Sequence, residues 1–502
     1  MSVPDQTRIE MPARRLGAVS SPALPAAAGL RVTGTLIFLG FALQLLQVGV
    51  IPLLPLIGKD LQIAPATVSW LVTSSLLAGV VFLAIFSRLA DMIGKVPVIQ
   101  LSLALVLIGS LIGCFASSFA ALLVGRVLMG AVLPMLALPE AVASDTMPRR
   151  QASVVIGAIH AGTGSGIAGG LVLGALAGAG DASWRWFFIV GAATSSIGIL
   201  ASWAWLRDAA TRARGRLDVV GAALLGAGLV SLLLAVSEGP AWGWGSVSVW
   251  GLGVLGVLLL AVWWRQQRHS GDPLIDIGTL LSEPVRIPLA MTFLGAFGVY
   301  SAITALSRYV LSDPHAVGYG YGWQPLQIAW YAIPQIVGCL AGFALIRRLA
   351  GRNRPVQALA IGFSIIVCAF LCFGLLTAHP FFTLLALCLD SFGLATILAI
   401  TQVVLLRSVD TSRSGIVLGL SIILYALGNA VGSAVGAVWF QSFGSTAEAP
   451  SLTAFRVAFA TGGVAALLAV ALCVPLARRI GRVWPDRPPA EPAPPRAEAV
   501  SR

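Results

Sequence analysis

The sequence predicts an all-α integral membrane protein with 14 transmembrane helices. Three observations support this prediction: the composition, the length of the apolar runs and the distribution of the basic residues. Of the 502 residues, 58% are hydrophobic and only 10% are charged, and the mean hydropathy is +0.91. A water-soluble protein of this length cannot hide so much apolar surface in its core. We therefore expect the chain to lie in a lipid bilayer.

The apolar runs are long enough to cross a bilayer. A membrane-spanning helix needs about 20 predominantly apolar residues, and most of the runs reach that length. In chain order they cover residues 36–57, 67–87, 96–117, 120–146, 152–177, 186–206, 218–237, 247–264, 287–306, 327–346, 356–377, 381–406, 415–439 and 455–476.

The basic residues predict the orientation, because Lys and Arg accumulate on the cytoplasmic side of membrane helices. With the N-terminus inside, 27 of the 32 basic residues fall in cytoplasmic segments. We expect a multi-pass protein of the cytoplasmic (inner) membrane with both termini in the cytoplasm. Topology and attraction to anionic lipid headgroups account for the net charge of +12, so no nucleic-acid partner is expected.

A short polar segment between the second and third runs carries Arg88, Asp91, Gly94 and Lys95. Residues 348–356 repeat its pattern, with one residue deleted, between the tenth and eleventh runs. A charged loop at equivalent places in two parts of a membrane protein indicates duplication, and duplicated halves usually move against each other around a central site. This observation predicts transport, with the segment as a cytoplasmic gate loop.

Glycines recur every four residues in two of the predicted helices. In lipid, where no hydrophobic force joins helices, such a ridge lets a partner backbone approach closely. The two helices hold equivalent places in the predicted halves, so we expect both at the interface between the halves. The ridges consist of Gly162, Gly166, Gly170 and Gly174 in the fifth helix, and of Gly428, Gly432 and Gly436 in the thirteenth.

Three charged residues lie well inside predicted spans: Arg126, Glu140 and Asp390. An ionised group there costs about 2.5 to 3.5 kcal/mol or more, so it is generally paired, hydrated or functional. Asp390 is expected near the midplane, about 14 Å deep at about 1.5 Å per residue, either as a proton-coupling or substrate residue or as a structural hydrogen-bond group. Arg126 and Glu140 share a helix face but lie about 21 Å apart, too far for a salt bridge.

His160 is expected at the depth of Glu140, across a short hairpin. A proton relay between the two is one interpretation, and a structural histidine is the other. In the first helix, Gln44 and Gln47 either face a cavity as hydrogen-bond groups or pack out of contact with lipid.

The gate loop resembles the G-x-L-x-D-R-x-G-R-K signature between helices 2 and 3 of the major facilitator superfamily. Leu89, Asp91, Gly94 and Lys95 match it, whereas Ser87 replaces the first glycine and residue 92 is methionine instead of arginine. Further similar motifs are Arg126 with Gly130 in helix 4, residues 184–188 (W-R-W-x-F) before helix 6, residues 215–218 (G-R-L-D) and residues 415–432.

The motifs and helix count resemble the fourteen-helix drug:proton antiporters, of which the chain looks like a divergent member. This resemblance implies a 6+2+6 major facilitator fold with two pseudo-symmetric six-helix bundles. The bundles would be residues 35–206 and 271–480, with two inserted helices in residues 207–270, a cytoplasmic tail in residues 1–34 and a disordered, proline-rich cytoplasmic tail in residues 481–502.

The resemblance also implies a secondary active transporter that exports small amphipathic compounds or drugs in exchange for protons by alternating access. The expected partners are a small-molecule substrate, protons and membrane lipids, and the expected state is a monomer. No enzyme activity or cofactor is expected, since nothing in the sequence resembles a phosphate-binding glycine loop or a nucleophile elbow. No metal is expected, because the cysteines lie in predicted helices without metal-type neighbours.

Two departures from the family pattern keep other functions open. The first helix has Leu46 where the family carries an acid, and the fifth helix lacks the proline of the family's G-P-x-x-G-G motif. A uniporter or symporter for a specific metabolite is therefore an alternative. A non-transporting membrane receptor or scaffold is an alternative of another class.

Overall fold

The computed structural model describes residues 26–483 except for residues 64, 69, 180–182, 209–217, 271–277, 279–280, 324–326, 328–331, 351–353, 376–378, 410–413 and 447–448. Most of the predicted N-terminal tail and residues 484–502 of the predicted C-terminal tail lie outside the described residues.

Residues 26–205 form nine α-helices in their described part, and two more α-helices follow before residue 270. They are α1 Ala26–Val48, α2 Leu54–Asp60, α3 Pro65–Val68, α4 Trp70–Ile93, α5 Lys95–Phe115, α6 Phe119–Met129, α7 Leu138–Thr146, α8 Arg149–Ala179, α9 Arg185–Trp205, α10 Val219–Trp242 and α11 Val247–His269.

The C-terminal helices follow, with one short antiparallel hairpin before the last of them. They are α12 Glu283–Leu311, α13 Pro314–Val317, α14 Ala332–Ala350, α15 Pro355–Leu375, α16 Pro380–Arg407, α17 Ser414–Ser442 and α18 Leu452–Val483, with strands β1 Gly444–Thr446 and β2 Ala449–Pro450 between α17 and α18. We call α1–α9 the N-terminal helices and α12–α18 the C-terminal helices.

Thirteen helices in the described part of the chain are long and apolar enough to cross a membrane. Each agrees with a predicted span, so the prediction of an all-helical, multi-pass membrane protein is confirmed at this level. The tenth predicted span, residues 327–346, corresponds to α14, which begins at Ala332. Residues 328–331 lie outside the described residues, and the total of fourteen spans stays a prediction.

The fourth span is not a single α-helix. Between α6 and α7 the chain forms a 3-10 turn over Gly130–Leu136. Pro134 lies inside this turn and Pro139 in the first turn of α7. Proline has no N–H to donate and its ring clashes with the preceding turn, so it interrupts a regular α-helix. The interruption places Glu140 in the first turn of α7, in the interior of the bundle.

Helix packing follows the same pattern in the two groups of helices. Helix α1 packs on α8 as α12 packs on α17, and α5 packs on α9 as α15 packs on α18. The groups meet where α8 packs on α14 and α16, and where α4 packs on α17. Helices α10 and α11 pack on each other, and α10 also contacts both α4 and α17. This repetition supports the duplication that the sequence predicts.

The glycine ridges face α1 and α12, not the interface between the two groups. A Cβ on Gly162, Gly166, Gly170 or Gly174 would meet a main-chain carbonyl oxygen of α1 or of Gly49, the residue that follows it, one helical turn further along at each step. The carbonyls belong to Ile37, Phe41, Leu45 and Gly49. Gly428, Gly432 and Gly436 meet the carbonyls of Phe293, Phe297 and Ser301 of α12 in the same way.

Helices α8 and α17 do reach the interface between the groups, as expected, but through other glycines. Gly157 and Gly164 of α8 lie against Ile346 and Cys339 of α14, and Gly419 of α17 lies against Ser87 of α4. The ridges thus pack inside each group, and other glycines of the same two helices reach the interface. A four-residue repeat defines a helix face but does not say which helix covers it.

Candidate functional site

Arg126 is fully buried in α6 and binds two helix ends. Its Nε donates to the carbonyl oxygen of Leu71 at 2.9 Å, and Nη1 donates to that of Leu46 at 3.3 Å. Leu46 lies in the last turn of α1, where carbonyl groups lack partners within the helix. Nη2 has no hydrogen-bond partner among the described residues. Arg126 therefore holds α1 and α4 together while one of its donors stays available.

Glu140 and His160 form a buried pair between α7 and α8. Glu140 Oε1 lies 2.8 Å from His160 Nε2, and the two residues are 0% and 4% exposed. The carboxylate has no other polar partner among the described residues. The hairpin between the fourth and fifth spans thus brings together the two residues that the depth argument placed side by side. A carboxylate and an imidazole thus lie side by side in the interior of the bundle.

Asp390 lies in α16 among side chains of three other C-terminal helices. It is 5% exposed, and its Oδ1 has no hydrogen-bond partner among the described residues. It is close enough to act electrostatically on Tyr300 of α12, Tyr425 of α17 and Cys339 of α14. The hydroxyl groups of Tyr300 and Tyr425 lie 3.0 Å apart. Asp390 thus faces a hydrogen-bonded tyrosine pair.

The structure separates the three charged residues instead of joining them in one cluster. Arg126 and Glu140 have their contacts among the N-terminal helices, and those of Asp390 lie among the C-terminal helices. Of the two predicted amides of α1, Gln44 is buried and Gln47 is half-buried.

The predicted gate loop is mostly helical. Helix α4 continues to Ile93 and α5 begins at Lys95, so only Gly94 connects them. Gly94 has a φ of +114°, and a Cβ there would overlap the carboxylate of Asp208. Asp208 accepts a hydrogen bond from the N–H of Val96 at 2.9 Å. A polar segment thus forms a tight connection because glycine permits this backbone conformation.

The charges of this segment are buried, and Lys95 lies close to two carboxylates. Lys95 forms an ion pair with Asp145 at the end of α7, and its Nζ lies 3.9 Å from Asp91 Oδ1. Lys95 and Asp91 are 6% and 3% exposed, and Arg88 is 8% exposed. We call the end of the bundle that carries Gly94 the loop end and the opposite one the far end. The predicted gate residues therefore join α4, α5 and α7 at the loop end.

The W-R-W-x-F motif lies at the far end, where α9 begins. The indole N–H of Trp184 donates to Asp60 Oδ2 at 2.8 Å, and Arg185 donates to the carbonyl oxygen of Ala116 at 2.9 Å. The Arg185 guanidinium also lies over the Trp184 ring, 4.2 Å from its centroid. These contacts connect α2, α5 and α9.

Sequence reasoning missed several residues of these clusters. Asp145 and Asp208 were not distinguished from other charges near span ends, and the partnership of Tyr300 with Tyr425 joins residues far apart in the chain. No local sequence pattern marks any of these pairs. The one local signal is the pair of prolines Pro134 and Pro139, which indicate the break between α6 and α7.

Comparisons with known proteins agree with this architecture. The family model of the Major Facilitator Superfamily matches residues 36–376 and 289–501. The chain is 29% identical over 320 residues to the puromycin resistance protein of Streptomyces alboniger. The aligned stretch covers 62% of this chain and 60% of that protein. It is 25% identical over 393 residues to the tetracenomycin C resistance and export protein of Streptomyces glaucescens, 77% of this chain and 71% of that protein.

A putative multidrug resistance protein, MdtD of Yersinia enterocolitica, is 26% identical over 328 residues, 64% of this chain and 68% of that protein. Among solved structures, the human organic anion transporter MFSD10 superposes with a TM-score of 0.63 at 20% identity, covering 89% of this chain and 99% of that chain. That likeness shows the fold alone. The family model covers most of the chain and the helices pack as a duplicated bundle, so the chain belongs to the Major Facilitator Superfamily of transporters.

Proposed function

We propose that this chain is a secondary active exporter that moves small amphipathic compounds outward in exchange for protons by alternating access. The observation that carries the proposal is the burial of two carboxylates, Glu140 and Asp390, deep in membrane-spanning helices. A carboxylate inside the bilayer is costly unless it is paired, hydrated or functional. Neither residue has a lysine or arginine as an ion-pair partner among the described residues.

The two carboxylates have different surroundings and therefore different proposed roles. Glu140 can exchange a proton with His160 over 2.8 Å. Asp390 faces the tyrosine pair, whose hydroxyl groups can orient a proton or a polar group of a substrate. A proton that binds Asp390 removes a charge from the bundle interior, which changes the relative free energies of the two transport states.

The proposed arrangement is two six-helix bundles, residues 35–206 and 271–480, with α10 and α11 inserted between them. The loop end faces the cytoplasm in this proposal, because basic residues collect there, and the membrane is the cytoplasmic membrane. At the loop end Gly157 lies against Ile346, and Arg407 donates to Ser153 Oγ at 3.3 Å. Such contacts support a conformation that is closed to the cytoplasm.

The relatives suggest which compounds to test first. Their names refer to resistance to puromycin and to resistance to and export of tetracenomycin C. These two antibiotics are therefore the first probes for this chain. Growth of a drug-sensitive host that expresses the chain, measured over a panel that includes both, identifies a substrate for the transport assay.

The deciding assay uses everted vesicles with an imposed proton gradient. Addition of an antiport substrate dissipates the gradient, and Asp390→Asn is expected to abolish this response while the protein is still expressed. Glu238→Gln, at a half-buried acid near the end of α10, is the matched control and should behave as the parent. An unchanged response in Asp390→Asn would remove Asp390 from proton coupling.

The alternative is a uniporter or symporter for one metabolite. The observation that favours it is the first helix, which carries the amides Gln44 and Gln47 but has Leu46 where the resembling antiporters carry an acid. A uniporter leaves the imposed gradient intact, and a symporter moves protons in the same direction as its substrate. A receptor or scaffold would show no substrate flux at all.

A further inference from the structure

One carboxylate at the loop end connects the two inserted helices. Asp218 precedes α10, and its Oδ1 accepts the N–H of Gly221 at 2.7 Å. Its Oδ2 accepts hydrogen bonds from Gln266 at 2.9 Å and from Gln267 at 2.7 Å, both in the last turns of α11. One carboxylate oxygen thus caps α10, and the other binds the end of α11.

Helix α10 packs on both helices of a contact between the two groups. It contacts α4 and also α17, which pack on each other. A Cβ at Gly226 of α10 would lie 3.3 Å from Val81 of α4, so the two helices are in close contact. On α4, Ser87 is buried against Gly419 of α17. We call this contact of α4 with α17 the seam.

Asp218 interacts electrostatically with the residue next to the seam. Arg88, which follows Ser87 in α4, acts on the Asp218 carboxyl. Burial by itself raises the pKa of Asp218, but the hydrogen bonds that it accepts and the positive charge of Arg88 outweigh burial, so the pKa lies below its ordinary value. The carboxyl group is therefore ionised at neutral pH and attracts Arg88.

We propose that Asp218 is a positioning residue for closure of the loop end, because it joins the start of α10 to the end of α11 beside Arg88 and so keeps α10 packed on both α4 and α17. This inference rests on the proposed alternating access, in which α4 and α17 separate at the loop end during inward opening. The acid of the G-R-L-D motif at residues 215–218 then does more than start a helix, because it joins the two inserted helices to each other beside the gate loop.

The test measures how often the seam opens. Ser87→Cys is introduced into a chain whose 6 native cysteines are replaced by alanine, and labelling by a membrane-impermeant maleimide is followed in everted vesicles, which expose the loop end. Adding Asp218→Asn should accelerate labelling about tenfold, the effect expected when the charge-assisted hydrogen bonds from Gln266 and Gln267 are weakened and the attraction of Arg88 is lost.

Two variants separate this role from helix capping. Asparagine is as good an N-cap as aspartate, so Asp218→Asn keeps the cap of α10 but removes the charge that both attracts Arg88 and strengthens the hydrogen bonds from Gln266 and Gln267. Ser246→Ala removes the cap of α11, where Ser246 Oγ accepts the N–H of Val249 at 3.3 Å, at the far end. It should lower thermal stability without accelerating labelling at position 87.

A double-mutant cycle completes the design. Arg88→Gln should also accelerate labelling, and the double variant should be no faster than Asp218→Asn alone, because Asp218→Asn already removes the attraction that Arg88→Gln removes. Equal labelling rates in the parent and Asp218→Asn, including no labelling in either, would overturn the inference. The assay needs no substrate and no proton gradient, so its outcome is independent of whether the exchange assay supports antiport.

Discussion

Replacing Gly166 by alanine should destabilise the chain by pushing α8 away from α1. A Cβ at this position would overlap the carbonyl oxygen of Phe41 and lie 3.0 Å from its carbonyl carbon. Main-chain atoms of a helix cannot rotate away from the added methyl group. The clash should therefore lower the free energy of unfolding by about 3 kcal/mol, the upper end of the usual range for overpacked positions. The higher helix propensity of alanine returns about 1 kcal/mol. The expected net loss is about 2 kcal/mol.

Gly169→Ala is the matched control in the same helix. A Cβ at Gly169 would lie 3.4 Å from the ring of Phe41, an ordinary van der Waals contact with a side chain. This variant gains helix propensity without a clash and should be as stable as the parent or more stable. The assay is thermal unfolding of the purified protein in detergent, measured for the three proteins side by side.

The result that would refute this reasoning is specific. If Gly166→Ala melts at the same temperature as the parent, α8 can move away from α1 at no cost and the ridge is not a close contact. If Gly169→Ala is destabilised as much as Gly166→Ala, the loss of glycine itself matters and the carbonyl contact does not.

Two further predictions concern the gate segment. Lys95→Ala should destabilise the protein by about 3 to 5 kcal/mol, because it leaves Asp145 buried without its cation; adding Asp145→Asn should recover part of the lost melting temperature, and no recovery would contradict the pairing. Gly94→Ala should cost at least about 1 to 3 kcal/mol from the positive φ alone, whereas Gly245→Ala, which has no heavy atom within 4 Å of its Cβ position, should leave the melting temperature unchanged. Equal melting temperatures for these two glycine variants would argue against strain at Gly94.

Much of the fold follows from local features of the sequence. Composition and run length predicted the spans, since apolar helices of the right length are the simplest way to satisfy the backbone in lipid. The proximity of Glu140 and His160 also followed, because two helices joined by a short hairpin place residues at equal distances from the turn at similar depth.

Contacts between distant segments could not be predicted in the same way. The four-residue repeat identified the glycine face of α8, but its partner α1 depends on how the whole bundle closes. The same holds for Asp218 and Gln267, which lie 49 positions apart in the chain. The extension of α4 to Ile93 was missed because polar residues suggested a loop, whereas burial and ion pairing allow them in a helix.

The spacing of the glycines along α8 has a mechanical consequence. Each glycine faces one carbonyl of α1, and successive carbonyls are four residues apart, which is about 6 Å along a helix axis. A smaller axial displacement would bring the bulkier residues between the glycines against those oxygens. Sliding of α8 along α1 is therefore blocked over short distances, and the same holds for α17 along α12. Each pair of helices therefore moves as one rigid unit, and any large displacement of helices during transport has to occur at other helix contacts.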